Sequence, residues 1–238
     1  MDIKRKVFDE LIFRYNRMYA FEKANIEAAA KLIKGCVENG GVVQVCGVGH
    51  GEEFRNELNF RAGGMAYVHG INVDDFFVRN MITSKQKEEF FDHRENADYL
   101  DSFYEFDDRD IFVLVSLKGD EELLLEIAKR AHAKHQKVIV VCNRANTTKK
   151  TQDLLDICDL VLDICSDSDD SLVNFNGQPF GQAWTTVSNV MAQMITGEVY
   201  RLYHEEGKEC PILLSANLKG ADIHNNALTD PYGRRIRG

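Results

Sequence analysis

Proline is scarce. The 238 residues contain only Pro179, Pro211 and Pro231, all in the last third, so no proline-rich linker divides the chain. Its length suits one large α/β domain better than two small ones, and residues 1–238 are read as a single domain. No apolar run approaches the ~20 residues of a membrane span. The opening MDIKRKVFDE carries no apolar stretch that would make a signal peptide. Clustered base is lacking outside Arg234, Arg235 and Arg237, and 38 acids against 29 bases give a net charge of -9. That excludes a nucleic-acid-binding face and leaves an anionic ligand dependent on local donors.

None of the six cysteines forms a C-x-x-C pair, and no pair among the seven histidines has metal-ligand spacing backed by acids. No metal site is expected. Cys46 and Cys142 lie inside apolar runs and read as buried thiols, which points to a reducing, cytoplasmic setting.

What is present alternates. Residues 2–39 are helical in pattern, with one apolar stripe at Phe8, Leu11, Ile12 and Tyr15 and a second at Ile26, Ala29, Ala30 and Ile33. We read them as N-terminal helices filling residues 1–40. Then come a strand (VVQVCG, 42–47), a glycine turn and a helix (52–62). A further strand (IFVLVS, 111–116), a turn, a helix (121–135), a strand (KVIVVCN, 137–143) and a helical turn leading into a strand (153–164) follow. A long helix over 181–207 closes the pattern, with Trp184, Val187, Met191, Met194, Ile195 and Leu202 on one stripe. Strands alternating with helices predict a parallel sheet covered on both faces. Residues 70–108, rich in aromatics and acids, and the tail 208–238 resist this reading; inserts of that length are expected to be functional or to lie at a subunit interface.

Several constellations could carry chemistry. Gly47-Val48-Gly49-His50-Gly51 ends the first strand, where glycines permit a sharp turn and close ligand approach and the next helix offers free N–H groups. It is not the dinucleotide fingerprint, because Glu52 stands where a third glycine would be needed, and no cofactor is expected. Glu53, Glu57 and Arg61 share a helix face, either as a solvated ion-pair ladder or as a carboxylate held at the crevice by an arginine. Ser116-Leu117-Lys118-Gly119 is a second strand-to-helix turn. It is either plain or a cradle in which Ser116, the turn N–H groups and Lys118 hold a phosphate. Glu198 falls on the apolar stripe of the closing helix, as a buried acid or base or as a helix-edge glutamate. The tail holds Ser215, Asn217, Asp222, His224 and Asn225 after an apolar PILL.

Taken in order, these motifs resemble those of SIS (sugar isomerase) domain proteins, and most closely a bacterial subgroup of about this length. That subgroup carries G-x-G-H-S, then E-x-x-x-R-A-G-G, then V-I-S-N-S-G, and ends in S-A-N-x-x-G-x-D-x-H-N. The matches are Gly47, Gly49, His50, Glu57, Arg61, Ala62, Gly63 and Gly64, then Ser116 and Gly119, then Ser215, Ala216, Asn217, Gly220, Asp222, His224 and Asn225. Three positions depart: Gly51, Leu117 and Lys118 stand where the subgroup has serine, asparagine and serine.

The resemblance implies a three-layer α-β-α sandwich around a five-stranded parallel sheet, assembled as a homodimer or homotetramer with sites at subunit boundaries. It implies a phosphorylated sugar as ligand and, in a family that includes aldose–ketose isomerases, ether lyases and sensors, points first to isomerisation; neither nucleic acid nor membrane is expected as a partner from the charge and hydropathy above. The base would be Glu57 or Glu198, and ring opening would fall to His50 or His224. Gly49, Gly51, Arg61, Ser116, Lys118 and Gly119, with Ser215 and Asn217 from a tail near the site, would bind the ligand. The altered phosphate loop motivates an alternative, a sugar-phosphate sensor without turnover. A dinucleotide enzyme is a third reading, weakened by the missing glycine.

Overall fold

The central strands form where the apolar runs lie. β1 (Val43–Gly47), β3 (Ile111–Val115) and β4 (Val138–Cys142) are buried along their whole length, as strands are when helices cover both faces of a parallel sheet. The computed structural model describes residues 2–59 and 61–237. β2 (Val68–Ile71) and β5 (Leu160–Asp163) complete a five-stranded sheet in the order β2-β1-β3-β4-β5, every neighbouring pair parallel. The chain leaves β1 on one side for β2 and returns on the other for β3. Strand order therefore reverses between β1 and β3, and at the carboxyl end of such a reversal an open α/β sheet leaves a crevice.

One face of the sheet is covered by α1 (Ile3–Glu38), α2 (Gly51–Leu58) and α8 (Ala183–Glu205). Met18, Ile33, Phe54, Trp184 and Met191 pack there against Val43, Val45, Val113 and Val141. The other face carries α3 (Asp74–Val78), α4 (Ser84–Glu88), α5 (Ala97–Phe103), α6 (Glu122–Ala133) and α7 (Lys149–Ile157). The layers are thus those of an α-β-α sandwich, as expected. The aromatic stretch 70–108 is largely core: Phe76 and Phe90 are buried, their rings 5.6 Å apart, and Phe76 also packs against Phe103 and Tyr104 beneath Leu114 and Phe112.

Residues 2–39 form one helix where two were expected. Asp2 caps it, accepting from Lys4 N–H at 3.0 Å. The two apolar stripes are joined through Met18 and Glu22 into a single seam, because Glu22 occupies an inward position and is itself buried. At ~1.5 Å per residue the 36-residue α1 is ~54 Å long and outreaches the five-residue strands. Its first turns pack instead on a hairpin, β6 (Ser171–Phe175) and β7 (Gln178–Gln182), through Ile3, Val7, Leu11 and Leu172. Phe8, Ile12, Phe13, Tyr19 and Phe21 stay exposed along the helix.

The tail carries α9 (Ala221–Thr229) and α10 (Arg234–Arg237). Its PILL segment runs antiparallel beside the R-A-G-G segment. Gly63 N–H donates to the Leu213 carbonyl at 2.8 Å, and Leu213 N–H donates to Gly64 at 2.9 Å. The five strands of the main sheet being parallel, their amino ends share one end of it, and the tail gathers there. The Tyr232 ring lies 4.3 Å from that of Tyr67, just before β2, and Arg235 bonds Asp110, just before β3, and the Gly40 carbonyl.

Candidate functional site in the sheet crevice

Gly47 at the end of β1 pairs with Val115 at the end of β3, so the two glycine turns lie side by side at the reversal point. Val48 N–H donates to the Val115 carbonyl at 2.9 Å and ties them together. Each glycine here has a separate reason. Gly49 has φ +56°, a conformation side chains rarely adopt. A Cβ on Gly51 would stand 2.3 Å from the Val115 carbonyl oxygen, and one on Gly47 would stand 2.2 Å from the Gly51 oxygen. Gly51 is therefore what lets α2 start against the end of β3, and the serine found there in related motifs would not fit without a shift of the backbone.

His50 sits at the N-cap of α2, exposed on the crevice rim, its Nε2 3.2 Å from the Gln182 amide nitrogen at the start of α8. Glu57 lies ~10 Å further along α2. Its carboxylate faces α8, bonded by Gln193 on one oxygen and Arg61 on the other, and its side chain is 16 % exposed. α2 ends at Leu58, short of the expected residue 62, because the chain must turn back to reach β2; Arg61 meets Glu57 from beyond the helix end.

The second turn faces inward. Ser116 is buried, donating its hydroxyl to Glu121 Oε1 at 2.7 Å and accepting Gly119 N–H at 3.0 Å. Lys118 is exposed, and its carbonyl accepts from Thr151 Oγ1 at 2.8 Å. Buried Asn143, after β4, laces the neighbouring turns: its N–H donates to the Leu117 carbonyl at 3.1 Å, and its Oδ1 accepts Ser166 N–H at 3.1 Å.

The structure thus brings together Gly49, His50, Gly51, Ser116, Lys118 and Gly119, with Glu57 and Arg61 down the same helix. It separates Glu198, His224, Ser215 and Asn217 from them. Glu198 is ~22 Å along α8 from Ala183. Both its oxygens lie 3.0 Å from Arg201 Nε of the same helix, in a groove between α1 and α8. The tail lies at the amino ends of the strands, away from the crevice of its own chain. There His224 Nε2 is 3.0 Å from the Ile212 carbonyl, Asn225 bonds the Leu214 backbone in both directions, and Ser215 Oγ accepts Asn217 N–H at 3.4 Å. His224 lines a cavity of about 420 Å3 with Tyr67, Tyr203 and Tyr232.

Sequence reasoning passed over Glu121, Asn143, Gln182 and Gln193. Only Asn143, directly after a strand of a parallel sheet, stood where such a site is usually built.

A family model for the SIS domain matches residues 8–143. A UPF0309 protein of Geobacillus thermodenitrificans is 28% identical over 240 residues, covering 96% of this chain and 94% of that one. Another, of Listeria monocytogenes, is 29% identical over 222 residues, covering 88% and 87%. Among solved structures, a phosphoheptose isomerase from Francisella tularensis superposes with a TM-score of 0.56 at 19% identity, covering 84% of this chain and 97% of that one. The Vibrio vulnificus NanR protein complexed with ManNAc-6P gives 0.53 at 11%, covering 87% and 65%. These structures share the layers and sheet described above, and the family model spans the sheet from α1 to the end of β4; the chain belongs to the SIS domain family.

Proposed function

We propose that this protein binds a phosphorylated sugar in the crevice between β1 and β3 and isomerises it between aldose and ketose forms. The observation that carries this reading is the pairing of Gly47 with Val115, which sets both turns at one reversal point with Glu57 on the helix that starts there. Glu57 is favoured over Glu198 as the base. One oxygen of Glu57 faces a neutral amide, whereas both oxygens of Glu198 are held by a guanidinium. His50, on the rim, is favoured over His224 for ring opening, since His224 is turned to the tail backbone. Moving the carbonyl then needs one proton lifted by the Glu57 carboxylate from the carbon beside the carbonyl and returned to the former carbonyl carbon, while the hydroxyl proton of the first carbon passes to the old carbonyl oxygen.

The fold is shared with a phosphoheptose isomerase and with a protein solved with ManNAc-6P, which supports the ligand class. The exposed Phe8, Phe13, Tyr19 and Phe21 on α1 support assembly as a homodimer or homotetramer. All six cysteines are free thiols and no helix among the described residues is long and apolar enough to cross a membrane, which accords with a cytoplasmic setting. A second reading, binding without turnover, is motivated by the altered loop, where Leu117 and Lys118 replace the polar residues of related motifs.

A thermal-shift panel of hexose, hexosamine, pentose and heptulose phosphates tests the ligand class; a compound at ~100 times its Kd adds ~2.7 kcal/mol. Isomerisation of the responding sugar is then assayed. Glu57→Gln is expected to lower kcat by about 10²–10⁴-fold with binding retained. Turnover unchanged in that variant removes Glu57 from the chemistry, and a response without turnover selects the sensor reading.

A further inference from the structure

The turn after β3 already holds an anion of its own. Glu121 stands at the N-cap of α6, and its Oε1 accepts a hydrogen bond from the Ser116 hydroxyl. Its other oxygen, Oε2, is buried and has no hydrogen-bond partner among the described residues. Burial holds this carboxyl above the ordinary range; the Ser116 hydroxyl and its own N–H pull it back, while Asp120 and Asp92 push it further up. Within the turn, the hydroxyl and the Gly119 N–H are both engaged in the Gly119–Ser116–Glu121 chain. Lys118 points outward, and Gly51 offers no hydroxyl from the facing turn.

We propose that Glu121 is a built-in competitor for the phosphate of the ligand. A phosphate at this turn needs the Ser116 hydroxyl and meets a carboxylate bonded to the same oxygen. It seats only when the Ser116–Glu121 bond opens, so Glu121 sets how strongly the crevice discriminates against doubly charged ligands and favours ones of lower charge. This rests on the reading of the crevice as a phosphosugar site.

The test is calorimetric titration of the full-length protein, Glu121→Gln and Glu121→Ser with inorganic phosphate at fixed pH and ionic strength, with Ser116→Ala added to each variant. Gln keeps the length of the side chain and an acceptor for Ser116, so the fold is retained even if Ser is not tolerated. Removing a like charge a few Å from the bound anion is expected to tighten phosphate binding roughly tenfold or more, and the gain is expected to vanish with Ser116→Ala. Equal binding by the original protein and the variants overturns the competition and leaves the phosphosugar reading standing. A gain that survives Ser116→Ala overturns it too, since the phosphate then sits elsewhere. No binding by any form overturns both this proposal and the phosphate site it rests on.

Discussion

The two ends of the sheet use polar residues in opposite ways. At the amino ends, buried polar groups are gathered on Asp110. Asp110 accepts from Val42 N–H at 2.8 Å, Gln44 Nε2 at 2.9 Å, Asp107 N–H at 3.0 Å and the Arg235 guanidinium, and Gln44 passes the chain on to His69 Nδ1 at 2.7 Å. At the carboxyl ends, His50 and Lys118 are exposed and Glu121 keeps one oxygen without a hydrogen-bond partner among the described residues. A satisfied buried network fixes a structure, whereas polar groups left available at the ends of parallel strands can take a ligand. Within one chain, Asn225 and His224 of the tail motif tie α9 to the PILL segment, whose backbone pairs with R-A-G-G.

That contrast can be broken from either side. The largest effect is expected from Asp110→Ala, which leaves three N–H donors without their acceptor and a partly buried guanidinium without its carboxylate. It should cost ~3–5 kcal/mol in urea unfolding, with ligand binding in the crevice unchanged per folded molecule. Next is the pH response of His69, whose imidazole burial pushes down to about 4, against the pull of Asp75 and Asp110 and with Arg55 adding to the depression. As pH falls below the ordinary 6.5, the unfolded chain takes up a proton that the fold refuses. Stability is therefore lost between 6.5 and about 4, by up to ~3 kcal/mol. Unfolding of His69→Gln across that range should follow a flatter curve than that of the original protein; parallel curves would remove His69 from the account.

At the crevice end, Gly51→Ser restores the hydroxyl of related motifs but drives a Cβ to 2.3 Å from the Val115 carbonyl. It should cost ~1–3 kcal/mol by overpacking, read as a lower urea midpoint. The smallest effect is expected for Glu22→Gln. Burial raises the Glu22 carboxyl, while Asn25 and the Asp163 backbone lower it and the Asp163 charge raises it again. Its ionised form is costly near neutral pH, and that cost disappears as pH falls through its raised value. The variant should melt higher at pH 7, with the gain fading toward pH 4.

Much of the sheet was legible in advance because β1, β3 and β4 are uninterrupted apolar runs and each ends in a turn rich in glycine or polar residues. The continuity of α1 was hidden by Glu22, a charged residue on an inward position. β2 was missed because VHGI is four residues long and carries His69 and Gly70 on an edge strand. The β6–β7 hairpin turns on Asn176-Gly177, both at positive φ, a signal present in the sequence but masked by Pro179 and an exposed strand. The stretch 70–108 gave no periodicity because its helices are only five to seven residues long; ring packing holds it instead. At the site, the glycine turns were readable from residue types, whereas Glu121 and Gln193 were not. Their roles depend on contacts with Ser116, five residues away, and with Glu57, on another helix.

The most direct test of the functional assignment is amide hydrogen exchange with and without the sugar phosphate that most raises the melting temperature. The account predicts slowed exchange at 47–53 and 116–121, where the two turns meet. Slowing around Tyr67, Tyr203 and Tyr232, with none in those turns, would contradict it and move the ligand to the other end of the sheet.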